Sequence, residues 1–279
     1  MVLSKELQDL EYQKFVEKDG KVMTRQFSTS FLTEVAKGNV PGHSYIHKFG
    51  RNDAVGTSLI PICNGGNYQT PTSAQALEIL SSSANDAAAG TGARKVVIQG
   101  LNASCAEINE EVTLNGTTPV ALSTQFFRIF RVFVSESGSY ANQSTPSQLG
   151  TITIRGAGGG DTWVTIPLLN STFGVAQSLI GAYTVPAGKT AYILSQTITV
   201  DSGKSATVVF FKRENVDTVS APFEPLRAQN IYTGLTGFHE MLHITNESYP
   251  EKTDMGFMGF MSTGTGDISV EFELLLVDN

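Results

Sequence analysis

Charge is scarce in this chain. Asp, Glu, Lys and Arg make up 16% of its 279 residues, against roughly 25% in an average soluble domain. The balance is acidic, with a net charge of −7, and no cluster of Lys and Arg stands out. That argues against nucleic-acid binding, which needs a concentrated basic footprint, and against attraction to anionic membranes. Cysteine is nearly absent, at two residues. Cys63 and Cys105 pair only if the fold brings them together, and the expectation is that both stay reduced as small buried hydrophobes. No apolar run approaches the ~18 residues of a membrane span. The first residues, MVLSKELQD, carry charges at Lys5, Glu6 and Asp9 that interrupt any signal-peptide core.

Gly, Ser, Thr and Asn take the place of the missing charge, a composition suited to short strands and tight turns. The most informative stretch is residues 81–120. Within it RKVVIQ (94–99) is β-branched and is followed by a turn composition at 100–102. From 106 the chain alternates: Ala106, Ile108, Val112 and Leu114 share one face, with Glu107, Asn109, Glu111 and Thr113 on the other. Glu110 is the one charge on the apolar face, expected at a rim or beside an Arg. Asn115-Gly116 supplies a reversing turn.

Further strands are expected at 76–80, 125–134, 150–155 and 162–167, and then at 183–194, 198–200, 206–211, 238–244, 256–261 and 268–277. The 125–134 strand is apolar on both faces, which fits a central strand or one covered by a partner chain. A helix is expected over residues 2–18, where Leu3, Leu7 and Leu10 recur at helical spacing behind Ser4 as N-cap; residues 21–31 read as a strand. Residues 36–72 read as an irregular extended connection, too apolar at Tyr45, Ile46, Phe49, Ile60 and Ile62 to run free. The expected fold is all-β: a short N-terminal helical arm with its extension (1–72), then two β-sandwiches of jelly-roll or immunoglobulin-like type (73–170 and 171–279).

Three strings invite a chemical reading. His239-Glu-Met-Leu-His243 matches HExxH, which on a helix places two imidazoles on one side for zinc and a Glu as base. Here glycines precede it and Pro250 closes a β-rich segment, so a strand is expected, with His239 and His243 on one side and Glu240 on the other. His239 and His243 remain the only metal-ligand candidates. The run GAGGG at 156–160 lacks the Lys-Ser/Thr and helix of a phosphate loop and reads as a hairpin tip. His43 and His47 lie in irregular sequence without acidic or Cys neighbours. No Gly-x-Ser-x-Gly elbow occurs. The chain is therefore expected not to be an enzyme and to need no cofactor. Tyr140, Trp163 and Tyr232 would be the sugar-stacking residues of a rival reading, a carbohydrate- or receptor-binding tail module.

Residues 46–52 (IHKFGRN), the stretch 81–120 and residues 183–192 (YTVPAGKTAY) together resemble a family of virion structural proteins of tailed bacteriophages, many of them marine or environmental. Within the stretch, SSAND (82–86), AGTGAR (89–94) and VTLNGTTPV (112–120) carry most of the likeness; PEKTD (250–254) and LVDN (276–279) add to it. The resemblance implies a β-rich, non-enzymatic part of a virion: a capsid decoration (cement) protein, or a tail or neck component. It also implies assembly in the host cytoplasm. Partners are then copies of itself, with a homotrimer favoured, and the major capsid or tail proteins. The residues nominated for those contacts are Leu3, Leu7, Leu10, Tyr45, Ile46, Phe49 and Ile60.

Overall fold

The computed structural model describes residues 12–16, 22–26, 31–142, 144–170, 173–243 and 247–279, with backbone alone at 12–16, 22–26, 169–170 and 173–174. The chain divides into two compact units, residues 1–45 and 46–279.

In the first unit, β1 (Tyr12–Val16) pairs antiparallel with β2 (Val22–Gln26), Tyr12 opposite Gln26 and Val16 opposite Val22. This corrects the helix expected over 2–18 across its last part; Leu3, Leu7 and Leu10 lie outside the described residues. Tyr, Phe and Val in YQKFV are strand formers, and Asp19-Gly20 falls between the two strands in sequence. A single-turn-and-a-half helix, α1 (Phe31–Ala36), follows. The Glu34 carboxylate accepts hydrogen bonds from Lys37 (3.1 Å) and Asn39 (2.7 Å) just past the helix end.

The second unit holds four main sheets in a propeller-like arrangement. Sheet A runs β11 (Thr162–Ile166), β10 (Ile152–Gly156), β5 (Leu77–Ser81), β8 (Val120–Ala121). Sheet B runs β7 (Glu107–Thr113), β6 (Ala93–Leu101), β9 (Arg128–Ser137). Sheet C runs β14 (Ala182–Thr184), β20 (Asp254–Met261), β16 (Ala206–Arg213), β17 (Arg227–Leu235), with β4 (Ile60–Pro61) also on β20. Sheet D runs β18 (Gly237–Leu242), β15 (Lys189–Val200), β21 (Gly266–Asp278), β3 (His43–Val55), with β19 (Ser248–Tyr249) also on β15. A short pair, β12 (Leu168–Asn170) and β13 (Phe173–Gly174), lies apart.

The all-β expectation holds; the division into two separate sandwiches does not describe the result. There are indeed two large apolar cores. Sheets A and B enclose Leu77, Ile79, Val96, Ile98, Ile129, Val132, Ile152 and Trp163. Sheets C and D enclose Val208, Phe210, Phe257, Ile268, Val270, Phe272 and Leu274. They are fused through β9. Ile129 and Val132 point into the first core, while Phe130 packs against the second, its ring 5.1 Å from that of Tyr183. The doubly apolar 125–134 segment is thus covered on its second side by the chain itself.

The irregular connection expected at 36–72 contains the 13-residue strand β3. Its concealed positions are Lys48, Gly50, Asn52 and Val55, so the apolar pattern that normally betrays a strand survives only at its last residue. Gly50 is required because a Cβ there would run into the backbone of Gly181 and Ile62. β17 went unforeseen, and its described side chains are largely exposed or half-exposed. The 94–99 and 106–114 strands form the expected hairpin, Lys95 opposite Thr113 and Leu101 opposite Glu107. Glu110 meets no Arg: its carboxylate accepts from the Ser123 amide (2.7 Å), the Ser123 hydroxyl (2.9 Å) and the Thr124 amide (2.9 Å).

Two buried polar centres hold these sheets in register. Asp86, with no exposure, accepts hydrogen bonds from the Ser81 hydroxyl (2.6 Å) and the amides of Ala93 (2.8 Å), Leu149 (2.9 Å) and Gly150 (2.9 Å). It ties the 81–93 loop to β6 and to the entry of β10. Arg128 on β9 meets Asp254 on β20 in a bidentate pair, Nε to Oδ1 at 3.0 Å and Nη2 to Oδ2 at 2.9 Å. Nη1 donates to the carbonyls of Pro71 (3.0 Å) and Phe127 (2.8 Å), and the guanidinium lies 4.1 Å from the Phe127 ring centre. The Thr184 hydroxyl donates to Asp254 (2.5 Å) and in turn accepts from Tyr68 (2.8 Å).

Either partner alone would be an uncompensated buried charge. Arg128→Met and Asp254→Leu are each expected to cost about 3–5 kcal/mol, and the double variant much less than their sum. Urea denaturation of the four proteins measures this; additive losses would show that the pair is not coupled.

Lys48 supplies a pH dependence. Its ammonium group is buried, donates to the Phe130 carbonyl and lies 5.7 Å from that ring's centre. Burial lowers its pKa from 10.5 to about 7, with Cys63 raising it somewhat and Arg131 lowering it further. Between those values the unfolded chain binds one proton more than the folded one, so stability rises with pH there. Below about 7 both states are protonated and the full penalty of burying the charge persists. Relative to Lys48→Met, the wild type is expected to gain melting temperature from pH 7 to 9; a pH-independent difference would rule out a neutral buried amine.

Candidate functional site

The sequence nominations are resolved as follows. HExxH sits on β18, with Ile198 opposite His239 and Thr197 opposite Glu240 on β15. Strand alternation sends Phe238, Glu240 and Leu242 outward, and Met241 toward the second core. His239 shares the Met241 side, and its Nε2 lies 2.9 Å from the Thr236 carbonyl oxygen. Glu240 is thus on the opposite side of the sheet from the His239 imidazole, and His243 lies just past the end of β18. Among the described residues no three His, Cys, Asp or Glu side chains gather as a metal site. His43 Nδ1 lies 2.9 Å from the Pro41 carbonyl oxygen, and His47 lies 3.7 Å from Glu271. Zinc titration is expected to leave the melting temperature unchanged. A zinc-dependent rise lost in His239→Ala would overturn this geometry.

The glycine loop at 156–160 does bind an anion, its own. Glu78 on β5 accepts hydrogen bonds from Arg155 Nε (2.7 Å) and the amides of Gly158 (3.0 Å) and Gly159 (3.1 Å). The Arg155 bond and those amides hold its carboxyl below the usual range against the opposing effect of burial. Gly158 and Gly159 have φ of 75° and 84°, which turns successive amides inward. Trp163 is 6% exposed within the first core, Tyr232 is half-buried with its hydroxyl on Gln196 (3.1 Å), and Tyr140 stands alone on a loop. These three form no common platform. Cys63 and Cys105 are buried and unpaired, burial pushing their thiols up to about 12 and about 11.

Of the nominated contact residues, Ile46 and Ile60 pack against the second core. Phe49 is half-buried and stacks beside His47, ring centres 6.4 Å apart. Tyr45 belongs to the first unit.

The feature that does stand out is the outer face of sheet C. On β16 and β20, Val208, Phe210, Phe257 and Met261 point into the core and are fully buried. The alternate positions must point the other way. Register places Ile231, Val209, Met258 and Pro61 opposite one another in a row across β17, β16, β20 and β4. Thr207 and Phe260 form the next row, with exposed Leu59 just before β4. Ile231 is 62% exposed and Leu59 48%, while Val209, Met258, Phe260 and Pro61 are half-buried. At its other end the same face is covered, since Ala182 and Cys63 belong to the first core.

The middle of sheet D is more polar on its outer face: Ser195, Thr197 and Thr199 on β15 lie opposite Glu273, Glu271 and Ser269 on β21, although Phe238 and Leu242 on its edge strand β18 are exposed on the same side. An antiparallel sheet with one wet face alternates in this way; sheet C does not. The loop between β16 and β17 also exposes Val219, Phe223 and Leu226, but at the opposite, covered end of these strands, so they are not part of the open rows. Contiguous exposed apolar surface of this kind marks an interaction site. A signal existed in the sequence: TVVFF (207–211) and MGFMGFM (255–261) are apolar at both odd and even positions.

No family model matches the chain, and no curated protein matches it. Among solved structures it is similar to the T=1 particles derived from infectious bursal virus, at 11% identity over 85% of this chain and 70% of the other, with a TM-score of 0.24. Infectious bursal disease virus of the Gx strain matches at 10% identity, 90% and 77% coverage and a TM-score of 0.23. A tryptic core variant of Bacillus thuringiensis Cry1Da matches at 9%, 81% and 53%, with 0.17. Likeness of this degree carries no argument about fold or role.

Proposed function

We propose that the chain is a non-enzymatic structural component of a virus particle, of the tailed-bacteriophage kind its sequence resembles. It would act as a capsid decoration protein or as a tail or neck protein. The observation that carries the reading is the uncharged apolar outer face of sheet C, a surface suited to burial against another protein. The partners are copies of the chain, three in the arrangement expected from sequence, and neighbouring capsid or tail proteins. Its place of action is the virion. The two buried polar centres suit this role, since they fix sheet positions without a ligand.

Light scattering of the purified chain across a concentration series tests the reading. A discrete multimer that persists on dilution is the expected outcome. A monomer at every concentration would count against self-assembly.

A further inference from the structure

We propose that the small cavity beneath the loop between β16 and β17 is a binding site for one monatomic anion of the halide class, held by Arg213. The site lies apart from the open rows of sheet C and does not depend on the assembly reading.

The balance of charge points to it first. Arg213 ends β16 directly opposite Asp254 on β20, so it stands beside the buried pair of Arg128 and Asp254. Asp254 is already engaged, by Arg128 Nε and Nη2 and by the Thr184 hydroxyl. The carboxylates of the loop are matched as well. Glu214 meets Lys212 at 2.9 Å, Asp217 meets Lys252 at 2.8 Å, and Glu224 meets Arg227 at 2.6 Å. Two guanidinium groups are therefore left facing a single carboxylate. In a chain that is acidic overall, this centre is locally cationic.

The hydrogen bonds point the same way. Arg213 is half-buried, but its Nε is closed off from the surface and meets no acceptor among the described residues. A buried donor without an acceptor costs free energy, and a charge without a partner costs more. An anion relieves both costs. A water molecule would take the hydrogen bond and leave the charge.

The cavity fits such an ion. Arg128 and Arg213 line it together with Thr70, Thr72, Asn215 and Thr218, whose hydroxyl and amide hydrogens suit an anion. Val216 and Phe223 add apolar wall, which strengthens electrostatic attraction by excluding water. Glu224 also borders the space, with its carboxylate turned to account by Arg227. The volume is about 30 Å³, room for one water-sized body. Phosphate and sulfate are too large. An ion held there would pin the loop, through Asn215 and Thr218, to the Arg128–Asp254 centre and to the segment leading into β5.

Thermal melting of the full chain tests this at constant ionic strength, with chloride replacing methanesulfonate, an anion too large for the space. The expected result is a rise of about 3 °C for each tenfold increase in chloride above its dissociation constant. The rise is expected to vanish in Arg213→Met and to persist in Arg51→Met, which breaks an ion pair with Asp267 on sheet D. A wild type indifferent to chloride overturns the site, and so does an equal rise in Arg213→Met. Loss of the rise in Arg51→Met as well would mark a general charge effect and overturn it too. Should Arg213→Met fail to fold, wild-type crystals grown in bromide decide the matter by anomalous scattering. A peak beside the Arg213 guanidinium is expected; a cavity without one overturns the proposal.

Discussion

The ion pair between Arg128 and Asp254 is the contact on which the arrangement of sheets depends. It joins β9 of the first core to β20 of the second across 126 positions of sequence, and it is almost completely excluded from water. A pair of this kind contributes little net stability compared with apolar side chains of the same shape. Its consequence is positional. A guanidinium with five donors in a plane, met by a bidentate carboxylate and two carbonyls, tolerates one relative placement of the strands that carry them. Thr184 and Tyr68 extend that placement to β14 and to the segment leading into β5.

With β9 held in that position, the two cores become one body. Phe130 reaches the second core from the strand that lines the first, and Lys48 is trapped against its carbonyl. One end of the outer face of sheet C is covered by the first core in the same way, through Ala182 and Cys63. The other end is left open with an apolar surface of the same character. The fusion of the cores therefore explains both why much of that face is apolar and why only part of it faces water. A strand such as β20 carries one continuous pattern, although two different surroundings meet it along its length.

Much of the β structure was legible in the chain. The 94–114 hairpin, the 162–167 strand and the alternation of Ile268, Val270, Phe272, Leu274 and Leu276 follow from period-two burial alone. β3 was not legible, because three of its four buried positions are Lys48, Gly50 and Asn52, of which Lys48 and Gly50 are accommodated by residues far away in sequence. β17 was not, because it is an edge strand that buries few of its side chains. The segment Tyr12–Val16 was misread as helix because leucines at helical spacing lie just upstream. The apolar face itself was hidden for a simple reason: deciding that a side chain is on the outside requires knowing which strands neighbour it.

The sequence by itself determined that this is a β protein with few charges, that HExxH begins on a strand, and that the glycine run is a turn. Those are properties of nearest neighbours along the chain, set by backbone sterics and alternation. Only the tertiary structure decided that Glu78 fills the glycine loop, that Arg128 finds Asp254, and that Ile231, Val209, Met258 and Pro61 fall in one row. Each of these joins residues tens to hundreds of positions apart. Local propensity carries no information about such meetings; they follow from which sheets bury which faces together.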